Sequence, residues 1–438
     1  MSKTPRQDVA GDETVNRTAS RGQRTLLGRQ ISPFTPRQWR VFAISTTAGF
    51  FDTYDGALLS LALAQIQRGL GIAEARLGGM LSMVRLGYLA SFLIAPLADA
   101  FGRRRLLLYT IVGYTVFTGL SAIAPHERSF VAAQFASRAF SGAETTVSLV
   151  ILAEEVDAAV RGWAVGLQGA LAISGYGLAA MMFALIDVVP YGWRGLYALA
   201  LLPLPLVVPL RRILPESKRF EAEKLGGIRP ARLLEPLSAL FRTYPGRLLT
   251  VVTVAFLNAM GATAATFFFP KYLQEAHRWS APQVSFLIVF GGALGILGSV
   301  FGGQVSDYRG RRLSGALFMF LGALLTVWIY LTRSNIVAAV WILRLFFDTA
   351  SGTIMSVYSA ELFPTSHRSA AASAQIVAGT TGGALGLLLE EVLYRVLGSH
   401  WSSICALTGF WAAASLMMYL CYPETAGREL EAIAPPAP

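Results

Sequence analysis

Between residues 39 and 422 the chain repeats one pattern, a run of about 20 mostly apolar residues followed by a short polar connection. A run of that length crosses a hydrocarbon core of ~30 Å as a helix. Twelve runs follow one another, centred near residues 52, 87, 115, 141, 174, 202, 258, 293, 322, 347, 381 and 410. The pattern predicts an all-α membrane protein whose 12 transmembrane helices form two six-helix bundles, residues 39–213 and 246–422. Residues 214–245, rich in Pro, Gly and charge, read as a linker between them. The polar, Arg-rich residues 1–38 read as a disordered tail and residues 423–438 as a second tail. No cleavable signal peptide is expected ahead of the first run.

Composition agrees, with 54% hydrophobic and 14% charged residues against about 25% charged in soluble domains. The net charge of +11 matters through its sidedness. Of 37 Lys and Arg, 26 lie in the tails, the linker and the connections on that side; eight lie on the other side and three within runs. Positively charged connections stay in the cytoplasm, so both termini are expected there, with the chain in a cell (inner) membrane. Topology accounts for the charge, and no nucleic-acid partner is expected. Cys405 and Cys421 share the last run, ~24 Å apart at ~1.5 Å per residue, too far to bridge. The four histidines, at 126, 277, 367 and 400, have neither metal-ligand spacing nor a catalytic motif around them. No metal, cofactor or enzymatic activity is expected.

The two bundles echo each other. "LADAFGRRR" and "VSDYRGRRL" align Asp99, Gly102, Arg103 and Arg104 with Asp307, Gly310, Arg311 and Arg312 at an offset of 208 residues. "EEVDAAVRG" and "ELFPTSHRS" set Glu154 and Arg161 against Glu361 and Arg368 at an offset of 207, and "LPESKRF" matches "YPETAGR" through Pro215, Glu216, Pro423 and Glu424. Three echoes in order indicate a duplicated six-span unit. Small residues at Gly291, Gly295 and Gly303, and at Gly162 and Gly166, fit either a sliding interface between halves or ordinary helix packing.

These motifs resemble those of the major facilitator superfamily of transporters, over residues ~35 to 430. The loop pattern G-x-x-x-D-x-x-G-R-R is complete at Gly303, Asp307, Gly310, Arg311 and Arg312, while Ala95 replaces its leading glycine in the first half. The Glu-x6-Arg pairs, "PES" and "PETAGRELEAI" resemble the sugar-porter, organic-ion and synaptic-vesicle-protein-like branches. "DTYD", Asp52 to Asp55, resembles the D-x-x-D of aromatic-acid/proton symporters, and "GAE" at 142–144 resembles bacterial metabolite and niacin carriers. The resemblance implies a monomer in the lipid bilayer, a small-molecule site between pseudo-symmetric halves, and alternating access. It also implies a conformational latch at Asp99, Gly102, Arg103, Arg104, Glu154 and Arg161, repeated at Asp307, Gly310, Arg311, Arg312, Glu361 and Arg368.

Ionisable groups at membrane depth mark function, and seven fall there: Asp52, Asp55, Arg85, Arg138, Glu144, Arg344 and Asp348. Arg344 and Asp348, four apart, share a helix face and either satisfy each other or meet substrate. Asp52 and Asp55 share a face with Ala48, Gly56 and Ser60 that should look into the bundle. Close carboxylates disfavour double ionisation. Four acids face three arginines, so Asp52, Asp55 or Glu144 is expected to carry a coupled proton. The alternative is a permanent ion pair of these acids to Arg85 or Arg138. Arg138, then Arg344, is expected to neutralise a substrate carboxylate, with Asp348, Tyr88, Gln168 and Asn258 lining the pocket. The chain therefore reads as a secondary active transporter of a small organic metabolite, foremost an organic acid, by symport down the proton gradient. A sugar or polyol porter and a drug/proton antiporter are the alternatives; a receptor that kept the fold is a different class.

Overall fold

The computed structural model describes residues 24–26, 29–31, 34–157, 160–202, 204, 235–364, 367–428 and 433. Within the expected tail, β1 (Arg24–Leu26) and β2 (Arg29–Ile31) form a short antiparallel ladder. Helix α1 (Pro36–Leu61) begins three residues before the expected bundle boundary because Thr35 and Gln38 form a reciprocal cap ahead of Pro36. It resumes beyond Ala62 as α2 (Leu63–Leu70). A 3₁₀ turn (Glu74–Arg76) leads to α3 (Leu77–Ile94), α4 (Leu97–Phe101), α5 (Arg103–Ala122), α6 (Glu127–Glu155), α7 (Arg161–Phe183) and α8 (Trp193–Leu199). The second half holds α9 (Glu235–Thr243), α10 (Pro245–Ala276), α11 (Ala281–Arg309), α12 (Arg311–Leu331), α13 (Val337–Glu361), α14 (Arg368–Leu397) and α15 (His400–Cys421).

Eleven of the described helices are 18 residues or longer, and α8 starts the expected sixth span. The second half of that span and the linker through residue 234, with Pro215 and Glu216, lie outside the described residues apart from residue 204. Among the described residues nine helices are long and apolar enough to cross a membrane; α1 and α6, equally long, are not among the nine. Those two carry Asp52, Asp55, Arg138 and Glu144, whose polarity depresses their hydropathy. Large apolar side chains such as Leu93, Ile173, Phe286 and Leu331 point outward, as a lipid-facing surface requires.

The duplication is visible in the packing. In the first half α1 packs on α7, α3 on α6 and α5 on α6; in the second, α10 packs on α14, α11 on α13 and α12 on α13. The halves meet where α3 packs on α14, α7 on α11 and α1 on α10. Two equivalent glycines allow close approaches in both halves. A Cβ on Gly175 would lie 2.0 Å from the Phe50 carbonyl oxygen, and one on Gly382 would lie 2.2 Å from that of Phe256. The Gly291 and Gly295 stripe packs against Trp341 and Leu345 of α13, within one half, because large side chains there fill the space a Cβ would need. Gly162, Gly166 and Gly303 face open space.

Candidate functional site

Helices α1 and α6 pack closely enough for side chains 83 residues apart in sequence to pair. Arg138 Nη2 lies 3.0 Å from Asp55 Oδ2, with the side chains 2% and 1% exposed. Asp52, one turn earlier, is less enclosed at 16%, and its Oδ1 is 3.9 Å from Arg138 Nη1. Hydroxyls on α6 complete the shell. Ser141 donates to Asp52 Oδ1, Thr145 donates to Asp52 Oδ2 at 3.4 Å, and Ser137 donates to Asp55 Oδ2 at 3.2 Å. Gln134 Oε1 accepts from Arg138 Nη2 at 3.0 Å, and the Tyr88 ring lies 5.9 Å from the guanidinium carbon. Glu144, on the same helix, is fully buried, with the Ser148 hydroxyl beside it and, among the described residues, no cation paired to it.

The other expected pocket residues divide. Arg344 and Asp348 do pair, at 3.5 Å, and Arg344 Nη2 also donates to Thr266 Oγ1 at 3.2 Å. Gln168 is tied to the Ser45 carbonyl at 3.4 Å and to Ser148 Oγ at 3.2 Å, inside the first half. Asn258 is half-buried on α10. Arg85 differs from the other two deep arginines. Its guanidinium crosses from α3 to α14, where Nε donates to the Thr380 carbonyl at 3.4 Å and Nη2 to that of Gly379 at 3.5 Å. A Cβ on Gly383 would lie 2.4 Å from its Nε, so this glycine makes the notch that admits the arginine. Among the described residues no carboxylate pairs with Arg85.

At the end of the bundle that carries the chain tails, the two halves repeat one arrangement. Gly102 (φ 95°, ψ 136°) separates α4 from α5, and Gly310 (φ 93°, ψ 142°) separates α11 from α12; both take backbone angles that favour glycine. Arg103 pairs with Glu154, and Arg311 pairs with Glu361 at 2.9 Å and with Asp307 at 3.3 Å. Each glutamate thus pairs with the arginine of the preceding loop, not with the one seven residues after it. Arg161 is exposed and without an ion pair among the described residues, while Arg368 donates to the Phe363 carbonyl at 3.2 Å. Asp99 lies in α4, its side chain outside the described residues. Arg104 follows Arg103 in α5, and Arg312 sits over the Tyr419 ring at 5.3 Å.

Glu424 completes the second-half arrangement by accepting from the Arg311 and Arg312 backbone N–H groups at 2.8 and 3.2 Å. Burial pushes its carboxyl up, but the N–H groups of Ala426, Arg311, Arg312 and Thr425 outweigh burial and hold it below the usual carboxylate range. A depressed value means that the cap contributes at neutral pH and is lost as pH falls through the carboxyl's own titration. Glu424→Gln should therefore cost about 1 kcal/mol of stability at neutral pH, less in acid, read from melting temperatures.

Comparison with known proteins fits this geometry. The model of the Major Facilitator Superfamily matches residues 46–353 and 251–437. The chain belongs to the major facilitator superfamily. Over 412 residues it is 24% identical to a probable 4-methylmuconolactone transporter of Cupriavidus pinatubonensis, covering 91% of this chain and 94% of that one. It is also 24% identical to a 4-hydroxybenzoate transporter of Pseudomonas aeruginosa, covering 88% and 92%. Among solved structures, the inward-open xylose transporter from E. coli superposes with a TM-score of 0.70 at 18% identity, covering 90% of this chain and 99% of that one.

As a major facilitator the chain is a multi-pass membrane transporter and not an enzyme. Several of its polar residues escape a reading of the sequence. Gln134, Ser137, Ser141 and Thr145 recur along α6 at spacings of three and four, and that periodic polar stripe is the signal that could have found them, although only the structure sets it against Asp52 and Asp55. Lys271 reads as a connection charge yet is fully buried, and His400 reads as a connection histidine yet is 5% exposed.

The ion pairs at the tail end should govern cycling more than recognition, since they lie far from mid-depth. Glu361→Gln is expected to slow transport severalfold while ligand affinity stays within about threefold. Asp307→Asn should do less, because Asp307 is 64% exposed and exposed pairs contribute little. Uptake rates and equilibrium binding of the two variants measure this.

Proposed function

We propose that this transporter is a symporter of protons and a small organic acid, of the carboxylate kind named for its 4-hydroxybenzoate relative. The observation that carries the reading is Arg85, a cation placed between the halves with no carboxylate paired to it among the described residues. Charge balance supplies the mechanism. Asp55 neutralises Arg138, and Asp348 neutralises Arg344. Glu144, fully buried and with no cation paired to it among the described residues, is carried as the neutral acid. Arg85 and an ionised Asp52 then cancel in the empty site. An arriving carboxylate pairs with Arg85 and leaves the site one charge negative unless Asp52 takes a proton. An uncompensated charge in a buried site costs several kcal/mol, so anion binding and protonation favour each other. Asp52 suits this part because it is hydrogen-bonded by hydroxyls and lies farther from Arg138 than Asp55 does.

The sidedness of Lys and Arg supports a cytoplasmic location for the tails, so the opposite end faces outward. Binding of benzoate and 4-hydroxybenzoate to purified protein in weak buffer tests the scheme. Proton uptake on binding is expected, and Arg85→Gln should weaken binding at least tenfold. Wild-type affinity in Arg85→Gln, or tighter binding of glucose or xylose without proton uptake, would overturn it in favour of a sugar porter.

A further inference from the structure

The end of the molecule opposite the tails is held shut by hydrogen bonds between the halves. Gln65 Nε2 donates to Gln274 Oε1 at 2.7 Å, Ser82 Oγ to the Ala384 carbonyl at 2.7 Å, and the Gly79 N–H to Glu391 Oε2 at 2.9 Å. Within this seam lies His400, the first residue of α15, with a carboxylate oxygen against each ring nitrogen. Nδ1 is 2.6 Å from Glu390 Oε1 and Nε2 is 2.9 Å from Glu74 Oε2. Glu390 is fully buried, and the Tyr394 ring stacks on the imidazole at 4.2 Å with Phe268 at 4.7 Å. Glu74 belongs to the first half; Glu390 and His400 belong to the second.

The surrounding charges are all engaged. From α10, Lys271 donates to Glu74 Oε1 at 3.1 Å, to Gln67 Oε1 at 2.6 Å, and to Glu275. From α14, Glu391 pairs with Arg395, and beside Glu74 Arg76 pairs with Glu127 at 3.0 Å. A neutral imidazole has one N–H and an ionised carboxylate only accepts. Two carboxylates facing both nitrogens of one ring therefore require one proton more than a neutral histidine and two carboxylates hold. Without it, a lone pair of the buried ring would face a carboxylate oxygen at hydrogen-bond distance, either on buried Glu390 or on Glu74, whose side chain is 42% exposed. Opening the seam carries Glu74 away with the first half. His400 then faces Glu390 alone, for which the neutral ring suffices.

We propose that Glu74, His400 and Glu390 form a proton-binding site, separate from the mid-depth acids, which exists only while this end is closed and links closure to uptake of one proton. Acid therefore favours the closed state, since the state that binds more protons gains as pH falls. The site needs no substrate, so its test is independent of the proposed symport.

The experiment measures distances between spin labels at Arg128→Cys and Asn335→Cys, exposed positions on opposite halves at this end, in a Cys405→Ser/Cys421→Ser background. In ligand-free protein the closed-to-open ratio should rise as pH falls between about 8 and 5, by up to about tenfold per unit for one proton. Glu390→Gln removes the need for the extra proton and should leave the end closed throughout. His400→Gln should shift it towards open throughout, and Asp52→Asn should keep the full pH response. Distances that ignore pH in the unmodified gate, or a Glu390→Gln variant that keeps the pH response, would overturn the proposal.

Discussion

Arg138→Gln is expected to abolish transport and to lower stability at once. The guanidinium is the counter-ion of Asp55, and both side chains are almost wholly enclosed. Removing one partner of a buried pair costs about 3 to 5 kcal/mol, because the other charge is left without solvent or partner. Gln134 and Ser137 remain beside the gap, but an amide and a hydroxyl do not replace a cation. Thermal melting of purified protein should show a large drop for Arg138→Gln. Adding Asp55→Asn should recover most of it, since two neutral amides can bond each other where two charges stood. Uptake should stay absent in the double variant, because Asp52 has then lost the positive charge that tunes it. Near-normal melting or transport in Arg138→Gln alone would mean that the pair is not what holds α1 to α6.

The second large effect separates two acids that lie on neighbouring helices. Asp52→Asn is expected to stop uphill accumulation under a pH gradient while sparing counterflow, which needs no net proton movement. Under the proposed scheme Glu144→Gln should leave accumulation near normal, because an amide then replaces a buried acid that has no cation paired to it among the described residues. Accumulation driven by an imposed pH gradient in vesicles distinguishes them. If Asp52→Asn accumulates substrate and Glu144→Gln does not, the coupling proton sits on Glu144, and the hydroxyls of Ser141 and Thr145 serve only to hold Asp52 in place.

The two proton sites differ in what they respond to. In the proposed scheme the mid-depth acids balance a substrate charge, whereas the proposed Glu74, His400 and Glu390 site balances the approach of one half to the other. Both act by the same physics, a carboxylate that must find a proton or a cation when it is enclosed.

The spans were legible in the sequence because crossing a hydrocarbon core is a local requirement, met by any sufficiently long apolar run. The duplication was legible for a similar reason. Gly102 and Gly310 sit at turns that require φ near 95°, and such positions keep their residue in each copy. Sequence spacing also paired Arg344 with Asp348, since residues four apart on a helix are neighbours whatever surrounds them. Only the tertiary structure decided which charges meet across helices. It gave Asp55 to Arg138 and left Arg85 between the halves, and it gave Glu154 to Arg103 rather than to Arg161. It brought His400 to Glu74 across 326 residues. Ion pairing acts through space within a few ångströms, and how helices rotate and pack sets those distances; the order of residues along the chain does not.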